Sequence, residues 1–117
     1  GQGSGGPALA MVPADRVLAA LHGWLAPLPP EGASAIVFRD VVHAPELAAA
    51  QGIRSADLLR HGIVDAIVPE RPDAADEPME FTKRLSATIA NELHGLSAVP
   101  DDERLAARLA RYRRIGL

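Results

Sequence analysis

The chain has no cysteine in its 117 residues, which excludes disulfides and thiolate metal centres and fits a reducing compartment. Aromatic residues are scarce, Trp24, Phe38, Phe81 and Tyr112 being the whole set, and the net charge is −3. Neither the stacking platforms nor the basic field of a nucleic-acid binder is present, so nucleic acid is not an expected partner. No run approaches the ~18 apolar residues of a membrane span, and no signal peptide is visible. A soluble, cytoplasmic protein is expected. With 48% apolar residues, there is material for one globular core.

Glycine and proline carry most of the local information. The opening stretch, Gly1-Gln2-Gly3-Ser4-Gly5-Gly6-Pro7-Ala8-Leu9-Ala10-Met11-Val12, places four glycines in six positions ahead of an apolar segment led by proline. Composition alone also fits a flexible linker. The continuation into an apolar run favours a tight loop feeding a helix over about 6–13, with Pro7 at its first position and the helix enclosed on all sides. Glycine lets a backbone approach a ligand closely. Free N–H groups at a helix start can hold a phosphate or stabilise an oxyanion.

Arg16 to Leu21 reads as a buried strand, and Trp24 to Leu28 as a second one, with Pro27 at its edge or end. Pro30 and Glu31 open a short helix running to Arg39 with Ile36 and Val37 inward. A Pro45-led helix over 44–51 stops at Gly52. Ser55 to Gly62 has an N-cap serine, Asp57 in the first turn, Arg60 and His61 in the last, and a closing glycine. Ile63 to Val68 alternates as a strand, and 71–78 is a polar, proline-flanked loop. Phe81, Leu85, Ile89, Leu93 and Leu96 mark one amphipathic helix. A last helix starts near Pro100 with Asp101, Asp102 and Glu103 and ends basic with Arg111, Arg113 and Arg114 before Gly116.

Other chemistry is thin. His22, His43, His61 and His94 show no i, i+4 pair and no thiolate partner, so no metal site is expected. Asp101 to Glu103 reads as a helix start rather than an acid/base pair. Arg108, Arg111, Arg113 and Arg114 could meet coenzyme A phosphates but read first as a solvated helix end. Ser4 and Ser34 lack the Gly-x-Ser-x-Gly setting of an acyl-enzyme nucleophile.

Several motifs then fall in order: Gly3-Ser4-Gly5-Gly6 before an apolar helix, Asp15-Arg16-Val17-Leu18, Pro30-Glu31-Gly32-Ala33-Ser34-Ala35-Ile36, Ala44-Pro45-Glu46, Ala56-Asp57-Leu58-Leu59, and Gly62 through Glu70. In that order they resemble the alpha-type half of the acetyl-CoA carboxylase carboxyltransferase and the wider crotonase superfamily. The resemblance runs from Gly1 to Glu70, and the tail from Pro100 to Gly116 is similar to the family's closing helix. It implies an α/β fold, the C-terminal part of a crotonase-type ββα spiral with a helical tail: a partial core over 1–70, a linker loop over 71–79, and a helical pair over 80–117 in the same domain.

The same resemblance implies transfer of CO2 from carboxybiotin, borne on a biotin carboxyl carrier protein, to acetyl-CoA, giving malonyl-CoA. It places backbone oxyanion donors at Gly5, Gly6 and Ala8, with Gly5 and Gly6 on the carboxybiotin. The family more often has glycine at Pro7, and proline cannot donate, which makes Gly6 the leading donor. The strand before the loop and the complementary carboxyltransferase half are expected outside these residues. The chain would then be an inactive C-terminal piece that self-associates through uncovered surface. Alternatives are a malonate-type decarboxylase subunit, another crotonase-superfamily CoA enzyme, or a non-catalytic assembly domain.

Overall fold

Short parallel strands set the frame, because parallel pairing demands a crossover and the first four helices lie on those crossovers. In the computed structural model, which describes residues 1–113, β1 (Gln2–Ser4) is followed by α1 (Gly5–Leu9), β2 (Leu18–Ala20) and β3 (Trp24–Ala26). Next come α2 (Pro30–Phe38), α3 (Ala44–Gln51), α4 (Ser55–Arg60), β4 (Ala66–Val68), α5 (Pro78–Ser97) and α6 (Asp101–Ala110). β1 pairs with β3, Gln2 opposite Trp24 and Ser4 opposite Ala26. β2 pairs with β4, Leu18 opposite Ala66 and Ala20 opposite Val68. The consecutive strands β2 and β3 thus enter different sheets, turned from one to the other at Ala20–Gly23, where the Gly23 N–H donates to the Ala20 carbonyl at 2.9 Å.

The core is built from small residues. Ala26, Ala33, Ala44, Ile53, Leu58, Val64 and Val68 are buried, together with Ser34, Ser55 and Asp57. Each of these three buried polar side chains has a partner, as burial without one is costly, Ser34 Oγ meeting Asp40 Oδ1 at 3.4 Å. Ser55 Oγ donates to the Leu21 carbonyl, and Asp57 accepts from Arg54 Nε at 3.1 Å and Arg60 at 2.9 Å. Gly52 and Gly62 end α3 and the α4 region in the left-handed conformation, φ 61° and 71°, as their positions in the sequence foretell.

Several expectations are corrected. A strand does precede the glycine turn inside these residues, β1, where the sequence had suggested a loop. The helix after it spans Gly5–Leu9 rather than 6–13, and none of its residues is buried. An all-apolar run of this length also suits a helix whose cover lies elsewhere, which periodicity cannot reveal. Ile36 and Val37 face outward at 72% and 62% exposure; α2 buries Pro30, Ala33 and Ser34 instead. Ser55 is inside α4, not its cap. The strand foreseen over 63–68 is reduced to Ala66–Val68, because the Ile63 and Val64 N–H groups turn back to the Leu58 carbonyl. On α5, Ile89 and Leu93 lie exposed, while Phe81, Arg84, Leu85, Thr88, Glu92 and Leu96 face inward.

At the basic end of α6 Arg113 is exposed, as expected, but Arg108 and Arg111 are not simply solvated. Arg108 grips Asp15 through two hydrogen bonds of 2.7 and 2.6 Å. The side chain of Arg111 is only 10% exposed and donates to Asp65 at 2.6 Å and to the carbonyls of Ile63 and Asp15. The Tyr112 hydroxyl closes the contact on the Val12 carbonyl. Arg114 and Gly116 lie outside the described residues.

Candidate active site

The turn from β1 into α1 is the site's centre, and its geometry follows from which glycine is needed for what. Gly5 has φ 70°, a conformation that side chains rarely adopt, so the sharp entry into α1 requires glycine there. A Cβ on Gly3 would come within 3.0 Å of Leu25 Cδ1 and 3.5 Å of Ala8 Cβ, so Gly3 lets β1 lie close against β3 and α1. Gly6 is different. Its φ is unremarkable and an added Cβ would meet nothing within 4 Å.

The N–H groups of a helix's first turn have no intrahelical partner. With Ser4 as the N-cap these belong in α1 to Gly5 and Gly6; Pro7 has none, the Ser4 side chain makes no capping hydrogen bond to them, and Ala8, a full turn in, is the first whose N–H faces the Ser4 carbonyl rather than a ligand. Pro7 does sit at the first helical turn, where it removes a donor at no cost. Gly6 and Pro7 are exposed, and Gly5 and Ala8 half-buried. On its inner side the turn borders an apolar groove of about 450 Å³ lined in part by Gly3, Ala8, Met11, Val17 and Leu25. Ala8 reaches this groove; Gly5 and Gly6 lie away from it.

No charged residue occurs between Gly1 and Ala14, so the turn itself offers main-chain donors and no ionisable side chain. Four carboxylates elsewhere in the fold are held by a cationic partner. A hydrogen bond from Arg108 holds the Asp15 carboxyl below its ordinary range. Arg54 does the same for Asp57, Arg84 for Glu77 and His43 for Asp40. His43 is correspondingly raised, chiefly by that hydrogen bond with Asp40. Carboxylates pinned in the ionised form are poor general acids. The Asp101–Glu103 run is a helix start, as expected.

Sequence reasoning missed one gathering. His22, Glu70 and Asp73 converge, their ligand atoms within 4.8 Å of one another. The signal for this group is strand pairing, because His22 and Glu70 each stand two residues beyond the register partners Ala20 and Val68.

A strand, a glycine turn and a helix start with N–H groups at its first turn make up the candidate site. The comparisons with known proteins give the family: the model of acetyl co-enzyme A carboxylase carboxyltransferase-like proteins matches residues 1–116, and this chain belongs to that family. It is 80% identical over 117 residues to the probable biotin-dependent acyl-coenzyme A carboxylase beta3 subunit of Mycobacterium tuberculosis, covering 100% of this chain and 24% of that protein. To the acetyl-coenzyme A carboxylase carboxyl transferase subunit alpha of Deinococcus radiodurans it is 41% identical over 117 residues, covering 99% of this chain and 37% of that subunit. A third relative, the carboxyl transferase subunits beta/alpha of Parafrankia sp., is 38% identical over 117 residues, 99% of this chain and 19% of that protein. The chain therefore spans a quarter to somewhat more than a third of the first two relatives. Among the described residues no helix is long and apolar enough to cross a membrane.

Proposed function

We propose that this chain supplies the biotin-side oxyanion donors of an acyl-CoA carboxyltransferase, in which CO2 moves from carboxybiotin to the α-carbon of acetyl-CoA or a similar thioester. The observation that carries the reading is Gly6. Gly5 is dictated by its φ of 70° and Gly3 by close packing, but nothing within this chain requires glycine at 6. A flat ring approaching the N–H groups of Gly5 and Gly6 would require it.

The residues fit the group. A ureido oxygen needs preorganised N–H donors and a surface free of side chains, and the turn offers both. Bound carboxybiotin supplies the transferable CO2. The chain's own part is to orient the ureido oxygen and to neutralise the negative charge it gains as the carboxyl group leaves, an effect worth ~3–4 kcal/mol per donor. The donors need not move, because the left-handed Gly5 already sets them.

The same reading extends to a carrier protein bearing the biotin, a complementary half or subunit holding the CoA thioester, a role in fatty-acid biosynthesis, and a cytoplasmic setting. The passage of β2 and β3 into different sheets before α2 supports a crotonase-type ββα unit. A second reading, assembly of copies or partner subunits, is favoured by the apolar surface of Ile36, Val37, Phe38, Val41 and Val42, all exposed. A clean monomer at high concentration in sedimentation would count against self-association.

The functional reading is tested in the full-length enzyme by Gly6→Val. Carboxyl transfer is expected to fall at least ~100-fold, the scale of one lost oxyanion donor, both with free biotin and with the biotinylated carrier. Turnover near wild type in a folded variant would leave the turn without a catalytic part.

A further inference from the structure

The gathering of His22, Glu70 and Asp73 lies apart from the glycine turn and is not used by the proposed carboxyl transfer. β2 and β4 are parallel neighbours, and Leu21 extends their ladder by donating to the Val68 carbonyl at 2.9 Å. His22 and Glu70 therefore leave the sheet side by side at its C-terminal edge, the side on which open parallel sheets bind ligands. The chain turn after Pro69 brings Asp73 back over them.

The donor atoms are placed but not bonded to one another. His22 Nδ1 is 3.5 Å from Glu70 Oε2 and 3.6 Å from Asp73 Oδ2, longer than good hydrogen bonds. Three atoms around a zinc ion, each on an arm of about 2.0–2.2 Å, stand about 3.3–3.6 Å apart at the tetrahedral angle. The two measured separations fall in that interval.

The carboxylates are held in position by groups that leave lone pairs free. Glu70, whose side chain is 6% exposed, accepts the His22 N–H on Oε2 at 2.6 Å and the Ala74 N–H on Oε1 at 3.1 Å. Each carboxylate oxygen keeps a second lone pair. Asp73 accepts the Ala75 N–H on Oδ1 at 2.9 Å, which leaves Oδ2 turned toward the imidazole. His22 and Asp73 are both about half exposed, so solvent can reach the point on which the three atoms converge.

We propose that His22, Glu70 and Asp73 bind a divalent transition-metal ion, Zn²⁺ being the best match, with water completing the coordination. One imidazole nitrogen among carboxylate oxygens favours Zn²⁺ over Mg²⁺ or Ca²⁺, which take all-oxygen shells. The ion ties the β2–β3 turn to the loop after β4, two segments that otherwise meet through the Glu70 carboxylate.

The test uses the full-length protein stripped with a chelator, then titrated with Zn²⁺ or Mg²⁺ in a calorimeter, beside His22→Ala, Asp73→Asn and the double variant. Glu70 is left intact because it also holds two backbone N–H groups. Losing a ligand costs no less than losing a partner that merely orients one, ~10–100-fold in affinity. The expected result is one Zn²⁺ equivalent per chain that each single variant weakens by at least that factor and the double variant abolishes, with Mg²⁺ binding much weaker. Zn²⁺ should also raise the melting temperature of the wild type and not of the double variant. Equal Zn²⁺ stoichiometry and affinity in wild type and double variant, or no saturable binding in the wild type, overturns the proposal.

Discussion

The region up to Glu70 and the two helices after Pro78 are held by different forces. The first has two parallel ladders and a buried set of small side chains centred on Ala26, Leu58, Val64 and Val68. In α5 and α6 no residue is buried. They are fastened by guanidinium groups: Arg84 on Glu77, Glu92 on Arg16, Arg108 on Asp15 and Arg111 on Asp65. The glycine turn belongs wholly to the first region and carries no charged side chain. Ionic strength and acid therefore act on the second region more directly than on the site.

The largest change expected is in the first region. Leu58→Ala should cost about 2–5 kcal/mol, the cost of a cavity in a packed core, and lower the protection of β2, β4 and α4 together, read by denaturant melts and hydrogen exchange. Ser55→Ala should cost about 0.5–1.5 kcal/mol, because it removes the hydrogen bond that the buried Ser55 hydroxyl donates to the Leu21 carbonyl. If instead the double variant Arg108→Ala/Arg111→Ala destabilised these strands more than Leu58→Ala does, the division into two regions would fail.

Smaller effects sharpen it. Raising salt from 0.05 to about 1 M shortens the screening length to about 3 Å and should speed amide exchange in α6 while leaving β4 unchanged. Acid should act on both regions. Asp15 and Glu77 are held below the ordinary carboxylate range by Arg108 and Arg84, and Asp57 by Arg54. A depressed folded-state pKa contributes stability that is complete above the ordinary value and is lost as pH falls through the depressed one. Stability should thus decline below about pH 4, with exchange in α5 and α6 rising first. His43, raised by Asp40, has the opposite sign. Its contribution is complete below the ordinary histidine value and fades as pH rises above it, so His43→Ala should matter less in alkaline than in neutral solution.

Legibility in the sequence followed the same line. Features written in local chemistry were readable: Pro30 and Pro45 at helix starts, Gly52 and Gly62 as stops, and the acidic start of α6. What depended on a partner elsewhere was not. Ile36, Val37, Ile89 and Leu93 have the right character and spacing for a core, yet they are exposed, because hydrophobicity does not say which of two faces is covered within this chain. Arg108 and Arg111 looked like a solvated helix end, since their aspartates lie far off in sequence. The glycine turn was legible as a loop and as a donor set, but the three-residue β1 was too short and glycine-rich to register as a strand. His22, Glu70 and Asp73 become a group only once the β2/β4 register is known.

Among the glycines, Gly6 separates main-chain function from folding most cleanly. Gly23 offers the control, since a Cβ there would stand 3.0 Å from the Ala20 carbonyl oxygen within the fold, whereas one at Gly6 meets nothing. The most direct measurement is carboxyl-transfer turnover per folded molecule in the full-length enzyme for Gly6→Val and Gly23→Ala, each with a melting curve. The account predicts that Gly6→Val melts like the wild type and loses at least ~100-fold in turnover, while Gly23→Ala melts lower and keeps its turnover while folded. A Gly6→Val enzyme with wild-type turnover, or one whose loss of turnover is matched by loss of folded protein, would contradict it.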